Sequence, residues 1–258
     1  MRGVEQRVAE FYDRHWSIYV PNIEACRRHV EMFFREGEIV DALVLDAGCG
    51  TAVFSCVFAE KGAREVVALD VTERSLLEAK MRADRLQGGK VHLVRATILC
   101  LPFRDKMFDT VWAWGAVHHT DRPSDSLAEL CRMVKPGGVL FLALYLRTRL
   151  TWLHEAVRRS LVLLPHWAHS LAATLLALIA APVVALFKKR EKSRKGETLR
   201  ALVHDFYFTP VRHYTNPDDV TRFLRCRGFE VERFLGASGR FDSTSNFIVK
   251  ARRVGETS

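Results

Sequence analysis

Residues 46–50 read Asp46-Ala-Gly48-Cys-Gly50, and a second aspartate, Asp70, stands twenty residues beyond Gly50. Glycines let the backbone come close to a bound molecule. A carboxylate at that distance suits the two hydroxyls of a ribose. The third glycine of a pyrophosphate-binding turn would fall at position 53, where the chain has Val53, so a diphosphate is not provided for. Asp46, two residues before the first glycine, suits a ligand that carries an ammonium group. Further along, His118 and His119 offer neutral imidazole near pH 7, a group able to act as a general base.

The elements needed to position these residues are legible. "ALVLDA", "EVVALD", "VHLVR", "DTVWAW" and "GVLFLALYL" are short apolar strands. Helical stretches at Ala52–Lys61, from Glu73 to a stop at Gly88-Gly89, and around Ser124–Val134 separate them, with a turn at Lys135–Gly138. This alternation predicts a parallel sheet with helices on both faces, whose ligands sit beyond the carboxyl ends of the strands. The rhythm breaks at Leu146 and resumes at Asn216, an N-cap followed by Pro217, with two final strands after Gly228. The expected organisation is a helical segment at 1–40, a cofactor-binding sheet domain at 41–145, an insertion at 146–205 and a return to the sheet at 206–258.

"VLDAGCGTA", "VALDVT", "LPFRDKMFDTVWAWGAVHHT" and "LAELCRMVKPGGVLFLAL" follow one another in order over Leu43–Tyr145. Together they resemble the motifs of class I S-adenosylmethionine-dependent methyltransferases, in the variety that includes the ubiquinone and menaquinone C-methyltransferases. The resemblance implies a Rossmann-like seven-stranded α/β sheet, mostly parallel, with an antiparallel last strand. It implies S-adenosyl-L-methionine as cofactor, with Gly48 and Gly50 under its methionine and ribose part and Asp46 orienting its amino group. Asp70 would bind the ribose hydroxyls and Val71 would lie against the adenine. Where the family usually has an aspartate for the adenine amino group this chain has Thr97, with the backbone N–H of Ile98 beside it. Trp114 would lie near the methionine end. His119 and His118 are the candidate catalytic bases, and Tyr12, His15 and Tyr19 fall where the family often has a lid. No metal is implied.

Of the net charge of +9, the segment 146–205 carries +7, from eleven Lys and Arg against four Asp and Glu. The basic character thus belongs to the insertion, not to a nucleic-acid face, and no Asn-Pro-Pro-aromatic run of a base-flipping enzyme follows the fourth strand. The same insertion holds Ser170–Phe187, eighteen residues without a charge. Strands on either side of it must join one sheet, so a single membrane crossing is excluded. Two crossings would need about 40 apolar residues. What remains is a segment lying in or dipping into one leaflet, or an apolar cap on the protein. The basic flanks favour the former, and the expectation is a set of proline-interrupted helices, broken at Pro165 and Pro182, that caps the acceptor site and rests on an anionic membrane surface, with Trp152 and Trp167 at the interface. An apolar wall implies a small, lipophilic or lipid-linked acceptor. The rivals are a soluble enzyme of a polar metabolite whose insertion makes a dimer, and a cofactor-binding scaffold without turnover. Six scattered cysteines without a CxxC pair, and an N-terminus without an apolar signal core, lead to the expectation of a cytoplasmic protein, peripheral at most on a membrane.

Overall fold

A computed structural model describes residues 3–15, 23–86, 90–188, 199–235 and 246–255. Two helices, α1 (Gly3–His15) and α2 (Ile23–Phe33), precede the sheet. Then come β1 (Leu43–Ala47), α3 (Val53–Glu60), β2 (Glu65–Asp70), α4 (Glu73–Ala83), β3 (Val91–Arg95), β4 (Phe108–Trp114), a short 3-10 helix (Val117–His119), α5 (Pro123–Met133) and β5 (Val134–Tyr145). The insertion supplies α6 (Thr151–Val162), α7 (His166–Lys188) and α8 (Leu199–Phe208). The chain ends with α9 (Pro217–Arg225), β6 (Phe229–Leu235) and β7 (Asn246–Arg253).

The seven strands form one sheet in the order β3-β2-β1-β4-β5-β7-β6, with β7 antiparallel to both of its neighbours and the other pairs parallel. The sheet is apolar on both faces because helices cover both. Leu45, Leu69, Val111, Leu140 and Leu142 pack under Leu127 and Leu130 of α5 and Val220 and Leu224 of α9. Their neighbours Val44, Val66, Trp112 and Phe141 point the other way, under Val30 and Phe33 of α2 and Val57 and Phe58 of α3. Asn216 caps α9 as its type suggests, accepting the amide of Asp218 at 3.1 Å.

Three details depart from the sequence expectations. Lys135–Gly138 is not a free turn but an irregular stretch inside β5, where the register against β4 jumps from Val134↔Phe108 to Val139↔Thr110. Pro165 separates α6 from α7, whereas α7 continues through Pro182 for 23 residues. The insertion's last helix also runs to Phe208, past the expected limit at 205. The stop at Gly88-Gly89 lies outside the described residues.

The neck of the insertion is closed. Thr215 N donates to Tyr145 O at 2.9 Å, Arg147 N donates to Thr215 O at 2.9 Å, and Leu146 bridges Thr215. Within it, buried Arg158 of α6 donates to the carbonyls of Thr209 (2.7 Å) and Pro210 (3.2 Å) and pairs with Glu155. Ala173 and Ala177 of α7 pack on Val203 and Phe208 of α8 and on Phe11 of α1. The opposite face of α7 carries Trp167, Leu171, Leu175, Leu178 and Ile179, all exposed. Among the described residues, no helix is long and apolar enough to cross a membrane.

The N-terminal segment is held by a buried lysine. Lys250 Nζ of β7 donates to Phe33 O (3.0 Å) and to both oxygens of Glu38 (2.7 and 2.9 Å). Burial opposes the Glu38 charge, yet Lys250 and Arg252 hold its carboxyl below the usual range. Lys250→Met should cost about 1–3 kcal/mol in urea unfolding, because Glu38 keeps only Arg252 as its cation. Adding Glu38→Gln should recover most of that loss, as a double-mutant cycle would register.

Candidate cofactor and acceptor site

The carboxyl ends of β1 and β2 bring the first group of predicted residues together. Gly48 N and Cys49 N both donate to Leu69 O (2.7 and 2.9 Å), which folds the glycine turn against the end of β2. Gly50 N donates to Asp70 Oδ2 at 2.8 Å. Asp70 Oδ1 accepts from the backbone and hydroxyl of Thr72, at 2.9 and 2.6 Å. Burial raises the Asp70 carboxyl above its ordinary range against these donors. Gly48 adopts φ 78°, and a Cβ there would stand 2.2 Å from the Ala116 Cβ and 3.5 Å from Ile98 Cδ1. Only glycine lets the loops after β1, β3 and β4 meet so closely.

Asp46 is buried beneath this turn and accepts the Ser55 hydroxyl at 2.6 Å. Burial, with a smaller push from the Asp70 charge, raises its carboxyl to about 7. The Cys49 thiol is likewise driven well up by burial, which leaves it without nucleophilic character.

Beyond Asp70 the next loop lies alongside. Ala96 N donates to Asp70 O at 3.1 Å, which sets the loop that holds Thr97 and Ile98 beside the end of β2 and Val71. Thr97 Oγ1 accepts from Leu99 N (3.2 Å) and donates to the Glu5 carboxylate of α1. The sequence reading missed Glu5, because nothing in the sequence links it to a loop ninety-two residues away. Trp114 lies in an aromatic layer with Trp112, Phe54 of α3 and His29 of α2 (ring centroids 5.8, 5.2 and 4.6 Å).

The two histidines sit at the far side, buried in the turn after β4. His119 Nδ1 lies 2.9 Å from Val211 O, so it carries the proton and leaves Nε2 as the acceptor nitrogen. Burial lowers His119 to about 4 and pushes His118 well below its usual value, so both are neutral at pH 7. Around them stand Tyr145, Tyr12 and Arg212: the His118 ring is 3.8 Å from that of Tyr145, and the His119 ring is 5.4 Å from that of Tyr12. Tyr12 OH donates to Asp205 of α8 at 3.3 Å, and Asp13 of α1 accepts the Arg74 amide at 3.1 Å. Helix α1 thus touches both the β1–β3 loops and the insertion. Tyr19 and the His15 side chain lie outside the described residues. Arg212 was also missed; its sole signal was its place in the aromatic stretch "DFYFTPVRHY".

Residues 45–142 match the family model described as a methyltransferase domain. Malonyl-(acyl-carrier protein) O-methyltransferase of Enterobacter lignolyticus is 42% identical over 99 residues, covering 38% of this chain and 37% of that protein. Demethylmenaquinone methyltransferase of Bacillus cereus is 30% identical over 142 residues, covering 52% of this chain and 60% of the relative. An uncharacterised chloroplastic methyltransferase of Arabidopsis thaliana is 34% identical over 125 residues, 46% of this chain and 35% of its own. The matches therefore span 35–60% of the length of these relatives. Magnesium protoporphyrin IX methyltransferase from Synechocystis, solved with bound S-adenosylmethionine, superposes with a TM-score of 0.61 at 16% identity, covering 98% of both chains. The fold is the Rossmann-like fold of class I methyltransferases.

Asp46 gives this site a pH signature. A buried carboxyl raised from 3.8 to about 7 lowers the stability of the folded chain as pH rises from about 4 to 7, because the unfolded chain releases that proton first. Asp46→Asn should therefore stabilise the ligand-free chain by up to about 4 kcal/mol at pH 8, at roughly 1.4 kcal/mol per pH unit. Urea unfolding should find that gain reduced by more than half at pH 5.

Proposed function

We propose that this chain, whose residues 45–142 are a class I S-adenosylmethionine-dependent methyltransferase domain, transfers a methyl group to a small lipophilic or lipid-linked acceptor enclosed beneath its insertion. S-adenosylmethionine is the cofactor, and it supplies an electrophilic methyl group carried on a sulfonium. The donor set fits it. Asp70 is held by Thr72 at Oδ1 and by Gly50 N at Oδ2, and Oδ2 keeps an acceptor site for a ribose hydroxyl. Asp46 lies beneath the glycine turn with a carboxyl that ionises near neutrality and would settle an ammonium. Gly48, by lacking a side chain, makes room for Ala116 and so lets the loop after β4 close against this turn. Val71 and Ile98 would bound the adenine. Thr97 holds the Glu5 carboxylate by a hydrogen bond, and that carboxylate would serve the adenine amino group in place of the aspartate common in the family. The observation that carries this reading is the convergence of Asp46, the Gly48–Gly50 turn and Asp70 at one end of β1 and β2.

Displacement at a sulfonium depends largely on alignment and on exclusion of water. Helix α1 and helices α6–α8 supply the enclosure. His119, neutral throughout pH 6–9 and with Nε2 open, is the residue placed to accept a proton from an acceptor, and His118 packs beside it. Trp114 would contribute to the methionine end through its aromatic layer. The malonyl-acyl-carrier, menaquinone-type and porphyrin acceptors named for the relatives agree with an acceptor larger and less polar than a simple metabolite.

The exposed apolar face of α7 supports a second element: contact of the insertion with an anionic membrane surface. Trp152 and Leu163 of the insertion are exposed as well, as are Arg147, Arg149 and Arg159. We infer a peripheral enzyme whose cap meets lipid and admits its acceptor there.

Two measurements test this. Calorimetry should find S-adenosylmethionine binding in the wild-type chain, weakened by about 1.5–3 kcal/mol in Asp70→Ala, the range for a hydrogen bond to a charged group; NAD binding without S-adenosylmethionine binding would overturn the assignment. In vesicle flotation at low salt, the wild type should rise with anionic but not neutral vesicles. Replacing Lys188, Lys189, Arg190, Lys192, Arg194 and Lys195 with Gln should weaken flotation and leave cofactor affinity intact. Wild-type chain remaining with the soluble fraction would make the α7 face a subunit contact instead.

A further inference from the structure

Six buried side-chain polar atoms lack a hydrogen-bond partner among the described residues, and four of them gather around the Tyr145 ring: Nε and Nη1 of Arg212, Nδ1 of His118 and the hydroxyl of Tyr214. Arg212 is 6% exposed. Its guanidinium lies between the rings of Tyr145 and Phe206, 4.1 Å from each centroid. Nη2 donates to Tyr145 OH at 2.9 Å and to Asp205 O at 3.3 Å. The aromatic faces cover the cation above and below, while the N–H groups at its rim are left over. No carboxylate forms an ion pair with it among the described residues. A buried guanidinium is always charged and needs acceptors at that rim.

A cleft of about 440 Å³ reaches the same residues from the surface. It is lined by Arg212, Tyr214 and His213, by Thr148 and Thr151, and by Arg147 and Arg159, with Glu155 as its only carboxylate. That volume suits a small molecule; its lining is mostly apolar, with Trp152 among it, and its three arginines outweigh Glu155, which favours negative charge. It opens between α6 and the loop that carries Tyr214; Tyr145, His118 and His119 lie behind its lining, reached through Arg212, which donates to Tyr145 OH at 2.9 Å, and His213, whose N donates to His118 O at 2.9 Å.

We propose that Arg212, with Tyr214, is the anchor for an oxyanion, a carboxylate or a phosphate, carried by the methyl acceptor. This rests on the methyltransferase reading and adds the acceptor's charge to it: an apolar body under the cap and one anionic end in the Arg212 cleft. Arg212 positions the acceptor and takes no part in the proton chemistry assigned to His119.

The test uses the full chain saturated with S-adenosylhomocysteine, titrated calorimetrically with octanoate, octyl phosphate and octanol. The wild type should bind at least one of the two anions tenfold or more tightly than octanol, and the tighter anion identifies the group. In Arg212→Gln that preference should fall below twofold while S-adenosylhomocysteine affinity stays within twofold of wild type. An equal affinity for all three probes in the wild type, or an undiminished preference in Arg212→Gln, overturns the proposal. If Arg212→Gln does not fold, Arg212→Lys decides, since it keeps the charge and loses the planar donor array: a preference reduced threefold or more supports the anchor, and an unchanged one overturns it. Failure of the wild type to bind S-adenosylhomocysteine would instead remove the underlying methyltransferase reading.

Discussion

The short backbone neck at Tyr145 and Thr215 governs the arrangement of the whole molecule. β5 is buried throughout Val139–Tyr145, and its last residue both ends the strand and accepts the returning chain. Because departure and return are hydrogen-bonded to each other, the three insertion helices must fold back over the carboxyl edge of the sheet they left. That edge already holds the glycine turn and both aspartates. The neck therefore places Tyr145, Arg212 and Tyr214 against His118 and His119, bringing together three segments that are far apart in sequence. A longer or open neck would leave the cap free to sample positions away from the site.

The sheet domain was largely legible because its signals are local. Strands such as "EVVALD" carry their own boundaries, and Asp70 at the end of one is found by counting from Gly50. The turn at Lys135–Gly138 was misread because Pro136 and two glycines look the same in a turn as in an irregularity within a long strand. Pro182 was expected to break a helix, a rule of local geometry that α7 overrides by continuing through it. Lys250 illustrates a different limit. Alternation in "NFIVKAR" sends Phe247, Val249 and Ala251 to one core face and Lys250 to the other, and only tertiary structure reveals that α2 and Glu38 cover that second face as well.

The same distinction separates the site residues. Asp46, Gly48, Gly50 and Asp70 converge through two adjacent parallel strands, so their spacing encodes their meeting. Glu5 and Arg212 arrive from opposite ends of the chain, on elements whose position depends on docking. No periodicity reports such encounters. Arg212 is recognisable only once its burial, its two flanking rings and its spare donors are seen together.

Helix α1 has one hand on each compartment: Glu5 on Thr97 and Asp13 on the start of α4 at the nucleoside side, Tyr12 on Asp205 and Phe11 on α8 at the cap side. Displaced as a unit, this thirteen-residue helix gives up both sets of contacts together. In the proposed reaction, departure of the spent nucleoside and departure of the methylated product would then share a single gate.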